Sequence, residues 1–180
     1  MYFTTKKTII LCTTLSMVCA VAGVVFYVKD YGGIYFSLAI TFFTTFYHFA
    51  MRIIVAVLVT ILRKDKSDFG RFKISRAEQR FYEKIHIKKW KKYVPTYNKT
   101  LFSIKTNSLS AVFHNMTNAR IGHEVMVLLS FLPLMFSKLF GGFVPFLITS
   151  VLAATFDMQF VFVQRFNQSR IAKLIEKQSS

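Results

Sequence analysis

His48 and Arg52 stand four residues apart in the middle of an apolar run, residues 34–62. At that spacing they share one face of a helix. An ionisable group inside a hydrocarbon layer costs several kcal/mol unless it is paired, so such residues mark either a structural ion pair or a working site. Asp157, in a later apolar run, is the obvious counter-charge, and Glu124 is a shallower choice. A polar pocket built this way suits an amphiphilic substrate. The permanently charged guanidinium of Arg52 or Arg165 would hold an anionic group or a developing oxyanion. His123 would serve as general base near neutrality, with Glu124 or Asp157 orienting its ring. Glu124 follows His123 directly and points to a different helix face, so its reach to the same imidazole does not follow from adjacency.

These residues need membrane-spanning elements to position them. The chain of 180 residues is 53% hydrophobic and 17% aromatic, with 21 Phe and only 3 Pro. That composition belongs to a membrane protein rather than a soluble globule. Four spans are predicted, at 8–28, 34–62, 125–140 and 143–163. Residues 34–62 would extend about 43 Å as a helix, more than a hydrocarbon core of about 30 Å, and tilt or protrusion must absorb the excess. Gly141 and Gly142 leave room only for an antiparallel hairpin between the last two spans, and Pro133 and Pro145 fall where kinks or helix ends are expected. The first apolar run also resembles a secretory signal ending near Ala20-Val21-Ala22, but its apolar character continues to Val28.

The net charge of +16 raises nucleic acid as a partner, and its distribution argues against it. Between Arg63 and Lys105 lie 14 of the 24 Lys and Arg against four acidic residues, a net of +10. A basic block between two apolar spans reads as a cytoplasmic loop facing anionic phospholipid headgroups. Residues 63–122 form this interfacial region. Ile74, Ala77, Phe81, Ile85 and Ile87 make an apolar stripe opposed by Arg76, Arg80, Lys84 and Lys88, with Trp90 and Tyr93 suited to the headgroup layer and Pro95 redirecting the chain. A weak amphipathic helix is expected from Ser110 to Gly122. Residues 164–180 form a basic tail, so the charge rule places both termini in the cytoplasm. His123 and Glu124 then lie at the cytoplasmic start of the third span, and Arg165 and Asn167 at the cytoplasmic end of the fourth.

Several chemistries find no support. Cys12 and Cys19 lie inside the first apolar run and read as small packing residues. The four histidines are too widely separated for a zinc motif, and no metal is expected. No glycine pattern fits a phosphate loop, and no serine sits in a nucleophile elbow. His86 reads as an interface residue, and His114 fits either an interface or a site. Asn98-Lys99-Thr100 and Asn115-Met116-Thr117 match the glycosylation triplet by chance.

Three blocks carry a family resemblance. They are Phe81-Tyr82-Glu83-Lys84-Ile85-His86-Ile87-Lys88-Lys89-Trp90-Lys91-Lys92-Tyr93-Val94-Pro95, then Ala119-Arg120-Ile121-Gly122-His123 before an apolar run with Leu132-Pro133, then Val163-Gln164-Arg165-Phe166-Asn167-Gln168-Ser169-Arg170. In this order the chain resembles the small bacterial membrane family of glycosyl-4,4'-diaponeurosporenoate acyltransferases, over roughly residues 72 to 176. The resemblance implies esterification of a sugar hydroxyl on a glycolipid in carotenoid biosynthesis, from an acyl-CoA-like donor, with no cofactor bound. The family pattern has glutamates where this chain has Arg120 and Asn115, a change that reverses local charge near His123.

The sequence thus predicts an all-α polytopic protein forming a single membrane domain in a bacterial cell membrane. Its leading function is acyl transfer to a hydroxyl of a glycolipid or other amphiphile at the cytoplasmic leaflet. His123, Glu124 and Asp157 form the candidate catalytic set. His48, Arg52, Trp90, Gln164, Arg165 and Asn167 form the candidate substrate-binding set. Membrane lipid or glycolipid is the expected partner, with a homo-oligomer or a membrane-protein partner as further possibilities and nucleic acid excluded. The alternative function is a non-catalytic lipid-binding or assembly protein.

Overall fold

The computed structural model describes residues 3–29, 33–63, 74–94 and 99–179. Residues 30–32, 64–73 of the basic region, and 95–98, which include Pro95 and the first triplet's Asn98, lie outside the described residues. The described chain is helical and contains no strand. In order, the elements are α1 (Phe3–Lys29), α2 (Gly33–Leu62), α3 (Arg76–Lys84), α4 (Ile87–Trp90), α5 (Leu109–Leu129), α6 (Ser137–Phe140) and α7 (Phe143–Ser179). Short 3-10 turns occupy Lys91–Tyr93, Lys99–Phe102 and Leu132–Phe136.

Three helical stretches are long and apolar enough to cross a membrane: Gly33–Leu62, Leu109–Phe140 and Phe143–Gln178. The expected first span is represented by a shorter apolar stretch, Thr13–Lys29. Two boundaries differ from expectation. The amphipathic helix and the third span are joined, because Asn115, Asn118, Arg120 and His123 interrupt hydropathy without interrupting the helix α5. His123 and Glu124 therefore sit inside a continuous helix rather than at the start of one. Likewise α7 runs through the expected tail to Ser179.

Pro133 marks the change of geometry after α5. It has no N–H to give, and the chain tightens into the 3-10 turn Leu132–Phe136 just after the Ser130 hydroxyl has bonded back to the Met126 carbonyl at 2.8 Å. Pro145 falls in the first turn of α7, where a missing N–H is tolerated. Between α6 and α7 the hairpin needs its glycines. Gly141 adopts φ 71° and ψ −157°, a region essentially reserved for glycine. Nothing lies within 4 Å of where a Cβ would be. Gly141→Ala is therefore expected to lower stability through backbone strain alone, by about 1–3 kcal/mol. Thermal unfolding of the helical signal in detergent reads this, and a change of only a few tenths would contradict it.

The packing divides into two compact units, Met1–Val57 with Val125–Asp157, and Leu58–Glu124 with Met158–Ser180. In the first, Ala39, Ile40, Thr44, His48, Met51 and Val55 form the buried stripe of α2. Ser150, Ala153, Ala154 and Asp157 are buried at helical spacing on α7. The large apolar side chains left exposed, such as Ile54 and Leu152, suit contact with lipid.

The second unit has a core of Val112, Phe113, Met116 and Ile171, flanked by Phe102, Leu109, Ala172 and Ile175. Its amphipathic helix α3 is capped by Ser75, whose hydroxyl accepts from the Glu78 N–H at 3.1 Å. The apolar stripe differs from the one expected. Tyr82 is 3% exposed and Phe81 is 42% exposed, because Tyr82 turns its ring toward Phe162 and Phe166 on α7. His86 occupies the left-handed region at φ 53° and breaks α3 from α4, and Ile87 beyond it is fully packed.

Candidate functional site

In the first unit, Arg52 forms an ion pair with Asp157 at 2.5 Å. Asp157 is wholly buried and Arg52 is partly buried. The guanidinium is tied on three sides. Nη1 donates to the His48 carbonyl at 2.9 Å, and Nη2 donates to the Ala153 carbonyl at 3.2 Å as well as to Asp157. The Phe156 ring lies 5.5 Å from the cation. Two backbone oxygens and a carboxylate thus take up the terminal nitrogens, while Nε is buried without a partner among the described residues. His48 is buried beside Arg52, and neither of its ring nitrogens has a hydrogen-bond partner among the described residues. Tyr47 stands edge-on to that ring at 5.3 Å and donates its hydroxyl to the Leu129 carbonyl.

The other candidates belong to the second unit, where α5 and α7 run antiparallel. Two contacts fix the register. The Gln168 amide donates to the Thr117 hydroxyl at 2.6 Å, and the His123 ring stacks on Phe160 at 4.4 Å between centroids and 8° between planes. Arg120 and Gln164 fall between those contacts along the seam. The side-chain oxygens of Gln164 and Gln168 are buried without a partner among the described residues. Each is an acceptor positioned for a hydroxyl or an N–H. Glu124 meets Arg120 at 3.7 Å, one turn back on its own helix, and its side chain is 42% exposed.

Arg165 is not left to the solvent. Its Nε and Nη2 donate to both oxygens of Glu78 at 2.5 and 2.7 Å. The Tyr82 hydroxyl donates to the same carboxylate at 2.5 Å. Burial pushes the Glu78 carboxyl up, but the hydrogen bonds from Arg165 and Tyr82, with the charges of Arg165 and Arg120, outweigh it and hold the group below the usual carboxylate range. Burial first, then the Glu78 hydrogen bond, pushes the Tyr82 phenol up. Asn167 accepts from the Lys91 ammonium at 2.9 Å, and the indole N–H of Trp90 donates to the Ile85 carbonyl at 2.9 Å. Trp90 also lines a shallow open depression with Lys88, Lys89, Lys92 and Tyr93. His114 is engaged by the Asn118 amide at 3.0 Å, and Asn118 accepts from Arg63.

The sequence candidates thus fall into two sets. His48, Arg52 and Asp157 meet in the first unit, where Asp157 pairs with Arg52. His123, Glu124, Gln164, Arg165, Asn167 and Trp90 belong to the second. Sequence reasoning missed Glu78, Tyr82 and Lys91. The one sequence signal at Glu78 is its spacing from Ser75, and a Ser-x-x-Glu spacing announces a helix start rather than an ion pair.

A family model described as glycosyl-4,4'-diaponeurosporenoate acyltransferase matches residues 65–177. No curated protein and no solved structure matches the chain. The matched stretch contains the whole second-unit set and Asp157, and it leaves out His48 and Arg52.

Proposed function

The chain belongs to the glycosyl-4,4'-diaponeurosporenoate acyltransferase family, and from that premise we propose that it moves an acyl group onto a hydroxyl of a glycolipid or related amphiphile at the cytoplasmic leaflet of a bacterial cell membrane. The topology that goes with this reading has four spans and both termini in the cytoplasm, with the basic region against anionic headgroups. The family match over residues 65–177 carries the reading, since it takes in His123, Gln164, Arg165, Asn167 and Trp90 together.

His123 accepts the proton of the acceptor hydroxyl as that oxygen attacks the acyl carbon of a thioester donor. The new C–O bond forms, the C–S bond breaks, and the proton returns to the departing thiolate. Stacking on Phe160 fixes the plane of the imidazole, which lowers the cost of orienting it. The buried oxygen of Gln164 offers an acceptor to a substrate hydroxyl. Arg165, already tied to Glu78, acts as an oriented cation with part of its charge compensated. Asp157 and Arg52 support the helices rather than the proton transfer.

His123→Ala is expected to lower turnover by about 10²–10⁴-fold in nanodiscs supplied with acyl donor and glycolipid, with the helical signal unchanged. Turnover retained in that variant removes the base role. A second reading draws on Arg120, whose cation sits one turn before His123 and opposes a second positive charge there. In that reading the protein binds lipid or helps a partner assemble. Purification with a stoichiometric protein partner, and no conversion of any lipid, selects it.

A further inference from the structure

Lys91 is half-buried in the second unit, on the 3-10 turn Lys91–Tyr93. Its ammonium carries three donors, and the bond to the Asn167 oxygen uses one. The Phe166 ring lies 4.9 Å from the same nitrogen. Both neighbours are neutral. The charges that act on Lys91 are positive: Arg170, three residues beyond Asn167 on α7, and Lys88, one turn before Lys91. Burial first, and then these like charges, hold the Lys91 ammonium below its usual range. Like charges gathered around a partly buried ammonium repel one another, and that repulsion becomes attraction when an anion enters among them.

We propose that Lys91, held by Asn167 and Phe166, forms with Lys88 and Arg170 a binding site for a phosphate group. A phosphate carries enough charge to offset several cations and has oxygens directed at each of them, whereas a single carboxylate would leave most of the cluster uncompensated. The cations come from two elements that the Lys91–Asn167 bond joins, with Lys88 one turn before Lys91 and Arg170 one turn after Asn167. That arrangement suits a single phosphate more than a polymer backbone. Lys88 also borders the depression beside Trp90, so a group held by the cluster would touch the segment that carries the indole. The phosphate comes either from a lipid headgroup or from a soluble phosphorylated compound. The proposal stands whether or not the protein transfers acyl groups.

Trp90 is the only tryptophan in the chain and reports on this segment directly. Its emission is followed with the full-length protein in phosphatidylcholine nanodiscs titrated with inorganic pyrophosphate, and in nanodiscs of increasing phosphatidylglycerol content. A saturable shift is expected in at least one series. Response to phosphatidylglycerol alone assigns the headgroup, response to pyrophosphate alone assigns a soluble phosphate, and response to both identifies the shared group. Lys91→Gln and Arg170→Gln should each weaken half-saturation about tenfold, the loss of one charge-assisted contact. Lys91→Arg should retain binding, and Lys177→Gln, on the same helix two turns away, should leave it unchanged. Because Arg170 is exposed, its variant decides the matter if Lys91→Gln fails to fold. No saturable shift in either series, or equal weakening by Lys177→Gln, overturns the site.

Discussion

Asp157→Ala is expected to destabilise the first unit by about 3–5 kcal/mol, while the double replacement Arg52→Leu with Asp157→Leu should recover most of that loss. The asymmetry follows from where the charges sit. Asp157 is wholly buried and receives the Arg52 guanidinium directly. Removing the carboxylate leaves the cation held by the His48 and Ala153 carbonyls, which orient it without cancelling its charge. Removing both charges leaves neither member of the pair uncompensated, and two leucines occupy an apolar setting at little cost. The measurement is a double-mutant cycle on thermal or denaturant unfolding in nanodiscs, with a coupling of several kcal/mol as the expected result. If the two single losses simply add, Arg52 and Asp157 do not act as a pair. A stability cost accompanied by undiminished turnover per folded molecule would further separate this pair from the chemistry at His123.

That pair was legible in the sequence for a physical reason. In an apolar run a charge has few ways to be compensated, so Arg52 called for Asp157 before any geometry was known. The same logic fails in the basic region. Glu78 lies in a stretch crowded with Lys and Arg, where a carboxylate reads as one more solvated charge, and its partner Arg165 is 87 residues away. Tyr82 and Phe81 are neighbours of similar hydrophobicity, and only the position of Phe162 and Phe166 decides which of them turns inward. Helix boundaries were misplaced where polarity and helix propensity diverge. Asn118, Arg120 and His123 lower hydropathy, yet nothing in them stops a helix, and α5 passes through all of them. Helix class was therefore readable, and so was the deep ion pair. The seam holding His123, Gln164 and Gln168 required the register set by Thr117 and Phe160.

Glu78→Gln should cost the second unit about 2–4 kcal/mol and should also remove a step from its acid unfolding profile. The carboxylate accepts two bonds from Arg165 and one from Tyr82, and both charged side chains are largely withdrawn from water. A glutamine amide has one oxygen to offer in place of two and no charge, so Arg165 loses its bidentate partner. The sign of the pH effect follows from the direction of the shift. Glu78 titrates lower when folded than when unfolded, so its contribution is fully present above the ordinary value of 4.5 and is lost as pH falls through the folded value. Wild type should therefore weaken between those two points by more than the variant does, when unfolding temperature is followed against pH. Tyr82→Phe, which removes one hydrogen bond and no charge, should cost only about 1 kcal/mol and keep the acid step. Identical acid profiles for wild type and Glu78→Gln would show that the Glu78–Arg165 contact does not hold the folded state. If Arg165 also orients substrate, Glu78→Gln should lower turnover by up to about 10²-fold beyond the loss of folded protein, through misplacement of the guanidinium rather than removal of a reacting group.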